Sequence, residues 1–246
     1  MHGSIGTRSL VIRVAVLWAA LATAQAALLL NEILFNPPGA DAPQEFIEIR
    51  GTPNARVPAN TWLLAIEGDA GNNPGVIQNV FDLSGRAIGG NGFLLLLQKG
   101  HEYLTAPGAV VVTNMNGSGW GSGSSSTVAH RGENGQTDLV NASVTFLLIE
   151  SSPSTIPRVG TDLDEDNNGE LDTAFASAWL INDAVGVLDG DGAGDMAYGK
   201  INFRRNVAPG NAALASGTVV PVGFTPSYIA RAGNSRGWTA DDWIAS

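Results

Sequence analysis

Apolar and polar positions change over in short runs punctuated by Gly, Pro, Asn and Asp, a spacing that predicts strands rather than helices. β-favouring runs cover residues 28–33, 46–50, 63–67, 93–98, 110–113, 144–149, 184–188 and 219–222. In the second of these, Phe46, Glu48 and Arg50 alternate with Ile47 and Ile49, which gives a strand one more apolar face. Residues 94–97 are four consecutive leucines. Gly89, Gly90 and Gly92 before them and Gly100 after them leave too little room for a helix, so the run reads as a buried strand. A short helix is expected at 173–180, and one or two short helices are the most the pattern allows. An array of seven to nine such strands with Gly and Pro turns is expected to fold as two packed sheets, with a closed barrel as the alternative. No internal repeat requires a solenoid.

Composition sharpens this reading. The 246 residues include 31 Gly and 12 Pro with 44% hydrophobic residues, enough for a buried core with many turns. Thirteen Lys and Arg against 23 Asp and Glu give a formal net charge of −10, so charge alone does not hold a nucleic-acid backbone. The chain has no Cys, which excludes disulfides, thiolate nucleophiles and Cys-ligated zinc, and three His leave little for a His-rich metal centre. Oxygen-ligand chemistry remains.

The first 26 residues read as an export signal: Arg8 and Arg13, an apolar run at 14–22, and the small-residue end Ala24-Gln25-Ala26. The apolar run is short of the roughly 20 residues a membrane span needs. Cleavage after Ala26 is expected to leave residues 27–246, secreted, periplasmic or at the cell surface, with no integral membrane segment in the mature chain.

The sharpest chemical feature is an acidic run in which Asp162, Asp164, Asp166, Asn168, Glu170 and Asp172 place side-chain oxygens at every second position. A curled loop can converge such oxygens on one hard cation, and Ca²⁺ is the expected ion. The match to an EF-hand loop is incomplete: Asn167 stands where glycine is expected, a residue that tolerates the left-handed conformation, and Thr173 stands in place of the bidentate glutamate. A second cluster, Asp183, Asp189, Asp191 and Asp195, either adds to an ion site or punctuates hairpins as Asp-Gly turns.

Catalysis is not expected, and no catalytic residue is assigned. Glycosidases space two carboxyl groups across a cleft and two-metal sites gather carboxylates from separate elements, whereas these acids lie in one contiguous loop. His101, His130 and Asp138 have no accompanying nucleophile motif, and both histidines read as surface loop residues. The Gly- and Ser-rich tract 114–127 reads as a mobile loop, with Trp120 either a contact for a sugar or partner or a plug folded over the sandwich. Trp62, Trp179, Trp238 and Trp243 are expected to cover sandwich edges. An inward Glu48 would need a partner, with Arg50, Arg86 and Arg231 available.

Several of these segments carry a resemblance. Residues 30–39 (LNEILFNPPG) followed by 44–50 (QEFIEIR) resemble the first two strands of the lamin tail domain in its secreted bacterial form. Residues 82–85 (DLSG) resemble a later motif, with Arg86 where an aromatic is usual; 93–97 resemble the next buried strand. Residues 183–187 (DAVGV) resemble the strand bearing its aspartate, and Arg231 with Asp242-Trp243 resembles its ending. The resemblance spans most of the mature chain and implies an all-β, immunoglobulin-like β-sandwich with long loop insertions at about 114–135 and 151–180. It implies a non-catalytic accessory or interaction module, found in bacteria alone or beside secreted hydrolases and nucleases. The expected function is therefore a binding or structural module stabilised by calcium, meeting a protein or glycan at the cell surface. A carbohydrate or surface-adhesion module is the alternative.

Overall fold

The computed structural model describes residues 28–189, 193–205, 213–214 and 217–246; the leader read at 1–26 and Asp191 lie outside the described residues. The strands are β1 (Leu29–Leu34), β2 (Phe46–Arg50), β3 (Thr61–Glu67), β4 (Ile77–Asp82), β5 (Phe93–Leu97), β6 (Val110–Thr113), β7 (His130–Gly132), β8 (Val144–Ser151), β9 (Trp179–Leu188), β10 (Met196–Ala197), β11 (Ile201–Arg205), β12 (Ala213–Leu214), β13 (Thr218–Val222), β14 (Tyr228–Arg231) and β15 (Trp243–Ala245). A short helix, α1, spans Thr173–Ala176.

Six strands form one sheet in the order β15-β14-β1-β2-β5-β6, and seven form the other as β13-β11-β9-β8-β3-β4-β7. Their inner faces share one core: Leu30, Ile33, Ile47, Ile49, Leu94 and Leu96 from the first meet Leu63, Phe81, Phe146, Val185 and Phe203 from the second. Phe35 and Phe146 touch across it with ring centroids 5.3 Å apart. The architecture is thus the expected all-β sandwich of immunoglobulin-like layering, and not the barrel. Its edges depart from a purely antiparallel pattern, because β6 joins β5 in parallel and β11 lies parallel to both β9 and β13.

Two bulges decide which polar groups turn inward. Between β1 and β2 the register shifts at Leu30/Glu32, so Asn31 is the extra residue and both Leu30 and Ile33 reach the core although three positions apart. Between β8 and β9 it shifts at Leu148/Ile149, and the extra residue Asn182 puts Asp183 opposite the core residue Leu148. Asp183, Val185 and Val187 then share the inner face.

β3 is buried along its whole length, which a sheet with one wet face does not allow. Its outer side chains Trp62, Leu64 and Ile66 join a second core with Leu147, Ile149, Leu163 and Trp179, backed by Leu171 and Phe175. The segment read as an insertion at 151–180 is therefore a third layer over the seven-stranded sheet. Trp62 and Trp179 lie in that second core rather than at the edges, while Trp243, on the edge strand β15, closes the inner core. The helix expected at 173–180 is only α1, because Trp179 and Leu180 are drawn into β9 by pairing with Ser151 and Glu150.

Candidate functional site

At one end of the sandwich Glu45, one residue before β2, continues the inward row of Ile47 and Ile49, and Gln98, one residue after β5, continues the neighbouring row of Leu94 and Leu96. Glu45 is buried and accepts three hydrogen bonds: from Gln98 Nε2 at 2.7 Å, Trp120 Nε1 at 2.6 Å and the Leu139 amide at 2.9 Å. Burial pushes its carboxyl up to about 8, against the pull of the Leu139 and Trp120 bonds, and the charges of Asp41 and Asp138 add to the rise. Trp120 is fully buried, edge-on to Phe81 at 5.2 Å, so it is the plug and not an exposed contact. The tract around it is tied down. The buried Asn114 side chain donates to the carbonyls of Asn116 and Gly119 and accepts from the Thr127 amide, which offsets the cost of ordering glycines. His130 is likewise buried rather than a surface residue: Nδ1 donates to the Gly121 carbonyl and Nε2 accepts from Asn79 Nδ2 at 3.0 Å. Burial holds its pKa down at about 4. His101 is half-exposed beside Tyr103, and neither it nor Asp138 is hydrogen-bonded to the His130 ring.

At the other end Asp183 and Arg231 form a buried ion pair with Nη2 to Oδ2 at 2.6 Å, joining β9 of one sheet to β14 of the other. Asp183 also accepts from the Leu30 amide at 3.0 Å, from Trp238 Nε1 at 2.7 Å and from the Ala184 amide at 3.1 Å. Arg231 sends Nε to the Leu30 carbonyl and Nη1 to the Gly237 carbonyl, each at 2.9 Å, and lies 4.3 Å over the Trp243 ring. Arg231 is thus not the partner of Glu48. Arg86 is not either, since it donates to the carbonyls of Asp82 and Val128.

The acidic run folds as a loop held by backbone amides. Asp162 accepts from the Asp164 amide and from Asn73, Asp164 from the amides of Asn168 and Gly169, and Asp172 from the Glu165 amide. Asp164 is fully buried, and its third donor is the Tyr198 hydroxyl at 2.9 Å. Burial, that hydrogen bond and the charges of Asp164, Asp162 and Asp172 together push the Tyr198 phenol well above its ordinary range. Asn167 has φ +52°, the left-handed conformation expected of it. Gly75 seats the loop: a Cβ there would stand 2.7 Å from Asp162 Oδ1. The Asn168 side chain accepts from the Glu170 amide, and Asp166 and Glu170 are exposed. Among the described residues no three His, Cys, Asp or Glu side chains are arranged to hold a metal ion. Asp189 and Asp195 are buried on either side of Ser143 Oγ, at 3.0 and 3.2 Å, and residues 190–192 between them lie outside the described residues. Burial, with the nearby charge of Asp189, pushes the Asp195 carboxyl up.

The outer face of the six-stranded sheet carries a cleft of about 260 Å³, lined among others by Glu32, Phe46, Glu48, Leu97, Tyr103 and Leu104. Phe46 stands edge-on to Tyr103 at 5.0 Å and 6.2 Å from Tyr228, while Leu104 at the rim is fully exposed. Glu32 and Glu48 are directly opposite in the β1–β2 register. Asn31 Nδ2 donates to Glu48 Oε1 at 2.6 Å, the bond that takes the place of the expected arginine. Sequence reasoning missed this cleft. The signal available was Glu32 and Glu48 at outward positions of two neighbouring strands, and only the register places them side by side.

No protein-family model, curated protein or solved structure matches the chain. No helix among the described residues is long and apolar enough to cross a membrane.

Proposed function

We propose that the chain is a secreted, non-catalytic binding or structural module of the lamin-tail type that makes its contacts through the outer face of the six-stranded sheet. One observation carries the reading: the polar groups divide into two sets. Glu45, His130, Asp164 and Asp183 are spent on tying the loops and the last strands to the sandwich. Glu32, Glu48 and the aromatic rings around them instead line an open cleft beneath an exposed leucine. The lamin-tail part is supported by packing, because Asp183 from one matched segment meets Arg231 and Trp243 from the matched ending in one cluster.

Leu104 is fully exposed, so Leu104→Asp leaves the core untouched. The labelled chain is expected to bind washed envelopes of the producing cell saturably, and Leu104→Asp to lower that affinity about tenfold, or about 1.4 kcal/mol. Leu180→Asp, at another exposed apolar site, is expected to leave it unchanged. Equal binding by wild type and Leu104→Asp would remove the outer face from the proposal.

Calcium belongs to the same proposal, in the loop from Asp162 to Asp172. It is supported by a fully buried Asp164 whose hydrogen-bond donors are all uncharged, and by Asn167 in the turn conformation such loops need. Calorimetric titration of the chelator-treated chain is expected to give saturable binding and a raised Tm. Both are expected to weaken in the Asp166→Ala, Glu170→Ala double variant, which alters exposed positions only. Absence of heat and of any Tm change at millimolar calcium would make the loop a solvated cap of the third layer.

A further inference from the structure

The cleft on the outer face concentrates negative charge with little to offset it. Like charges directly opposite on neighbouring strands destabilise a sheet, yet Glu32 and Glu48 occupy that position. Burial and the charge of Glu32 push the Glu48 carboxyl up, while the Asn31 bond and the charge of Arg50 pull it down. Arg50, two residues along β2, offsets part of this charge, but its guanidinium is engaged with the carbonyls of Gly233 and Ser235. Burial and the charge of Glu32 push the Tyr228 phenol up. Behind the pair, Asn31 is 6% exposed, and its Oδ1 has no partner among the described residues. An unpaired buried acceptor thus stands one amide width from the nitrogen that holds Glu48. The Glu32 and Glu48 carboxyl groups stand in apolar surroundings: Phe46, Leu95, Leu97, Tyr103 and Leu104.

Building on the reading of this face as the binding surface, we propose that the cleft receives a lysine side chain presented by a partner polypeptide, with the ammonium between Glu32 and Glu48 and the alkyl stem along Phe46, Tyr103 and Leu104. The chemistry fits each part. An ammonium brings three donors and no acceptor to the two carboxyl groups. The four-carbon stem of lysine covers apolar surface while its charged head stays in a polar setting. A cavity of about 260 Å³ admits one side chain and not a globular surface. The formal charge of −10 draws a basic partner in.

The probe is a blocked Ala-Lys-Ala tripeptide titrated into the purified chain and followed by amide chemical shifts, with norleucine in place of lysine as the uncharged control. Saturable binding with shifts on β1 and β2, at least tenfold tighter than the control and weakened by salt, is the expected result. Glu32→Gln and Glu48→Gln are each expected to weaken it about tenfold while keeping or raising Tm, because each removes a like-charge opposition; that retained Tm shows the loss is not unfolding. Equal binding of the two peptides, or no binding of the lysine peptide, overturns the proposal. If Leu104→Asp still weakens envelope binding in that case, the surface stands and only its occupant is wrong; if it does not, both fall.

Discussion

Asp183→Ala is expected to lower the unfolding free energy by about 3–5 kcal/mol, enough to bring a domain of ordinary stability close to unfolding. The reason is what remains behind. Arg231 would keep its guanidinium buried without a counter-charge, and the Leu30 amide and Trp238 Nε1 would lose their acceptor, each an uncompensated donor worth about 1–3 kcal/mol. These costs share one site and do not add fully. The pair also closes the sandwich, since it links β9 to β1 and β14 across the two sheets. The double replacement Asp183→Leu with Arg231→Met is expected to recover much of the loss, because two apolar side chains leave no buried charge. Denaturant unfolding of the wild type, both single variants and the double variant gives the coupling energy directly. An Asp183→Ala variant within about 1 kcal/mol of wild type would mean that water reaches the pair and that it does not lock the last strands.

Much of the sandwich is legible in the sequence because burial follows the period of a strand. Ile47 and Ile49, or the leucines at 94–97, announce strands by themselves. The continuous apolar stretch at 62–66 is consistent with burial on two faces, though nothing in it says that Leu163, Phe175 and Trp179 supply the cover. What escapes is whatever depends on register. A single extra residue flips a strand's faces, so the bulges at Asn31 and Asn182 decide that Asp183 turns inward and that Glu32 stands opposite Glu48. Nothing in residues 183 or 231 alone says that they meet. Glu45 is an intermediate case: it continues the row of Ile47 and Ile49, and a carboxylate on a core-facing row demands donors from somewhere. The lone indole in the glycine-rich tract, Trp120, is one of its three donors, and its residue type was the available signal. His130 offers no such signal, since its burial follows from β7 pairing with β4 at the sheet edge. In the acidic loop the left-handed turn at Asn167 could be read from residue type, whereas the choice of Asp164 as the buried member could not.

The buried acids make stability fall as pH rises through neutrality. Glu45 holds a proton in the folded chain up to about pH 8 but only to its ordinary value of 4.5 when unfolded, so the folded state binds the extra proton throughout that window. Its contribution is fully present below 4.5 and is lost by about pH 8, on the order of 3–5 kcal/mol at about 1.4 kcal/mol per unit. Glu67, pushed up to about 7 by burial and by the charges of Asp69 and Glu133, acts in the same direction. His130 acts in the opposite one: its folded value of about 4 lies below the ordinary 6.5, so its contribution is present above 6.5 and is lost as pH falls toward 4. Between 4.5 and 6.5 the two glutamates outweigh the one histidine, and above 6.5 only the glutamates change. Unfolding free energies by denaturant titration are therefore expected to peak near pH 5 and to fall steadily to about pH 8. Glu45 also has a means of serving both states. All three of its donors favour the carboxylate, but Gln98 Oε1 is buried without a partner among the described residues, and turning that amide over would give a proton on Glu45 an acceptor. Glu45→Gln is expected to flatten the fall between about pH 5 and 8 while lowering stability at pH 5, where the amide must place its own N–H groups against the donors of Trp120 and Leu139. A wild-type profile that is flat or rises over this range, or one whose slope Glu45→Gln leaves unchanged, would show that water or relaxation keeps Glu45 ionised and that the Trp120 tie holds a carboxylate instead of an acid.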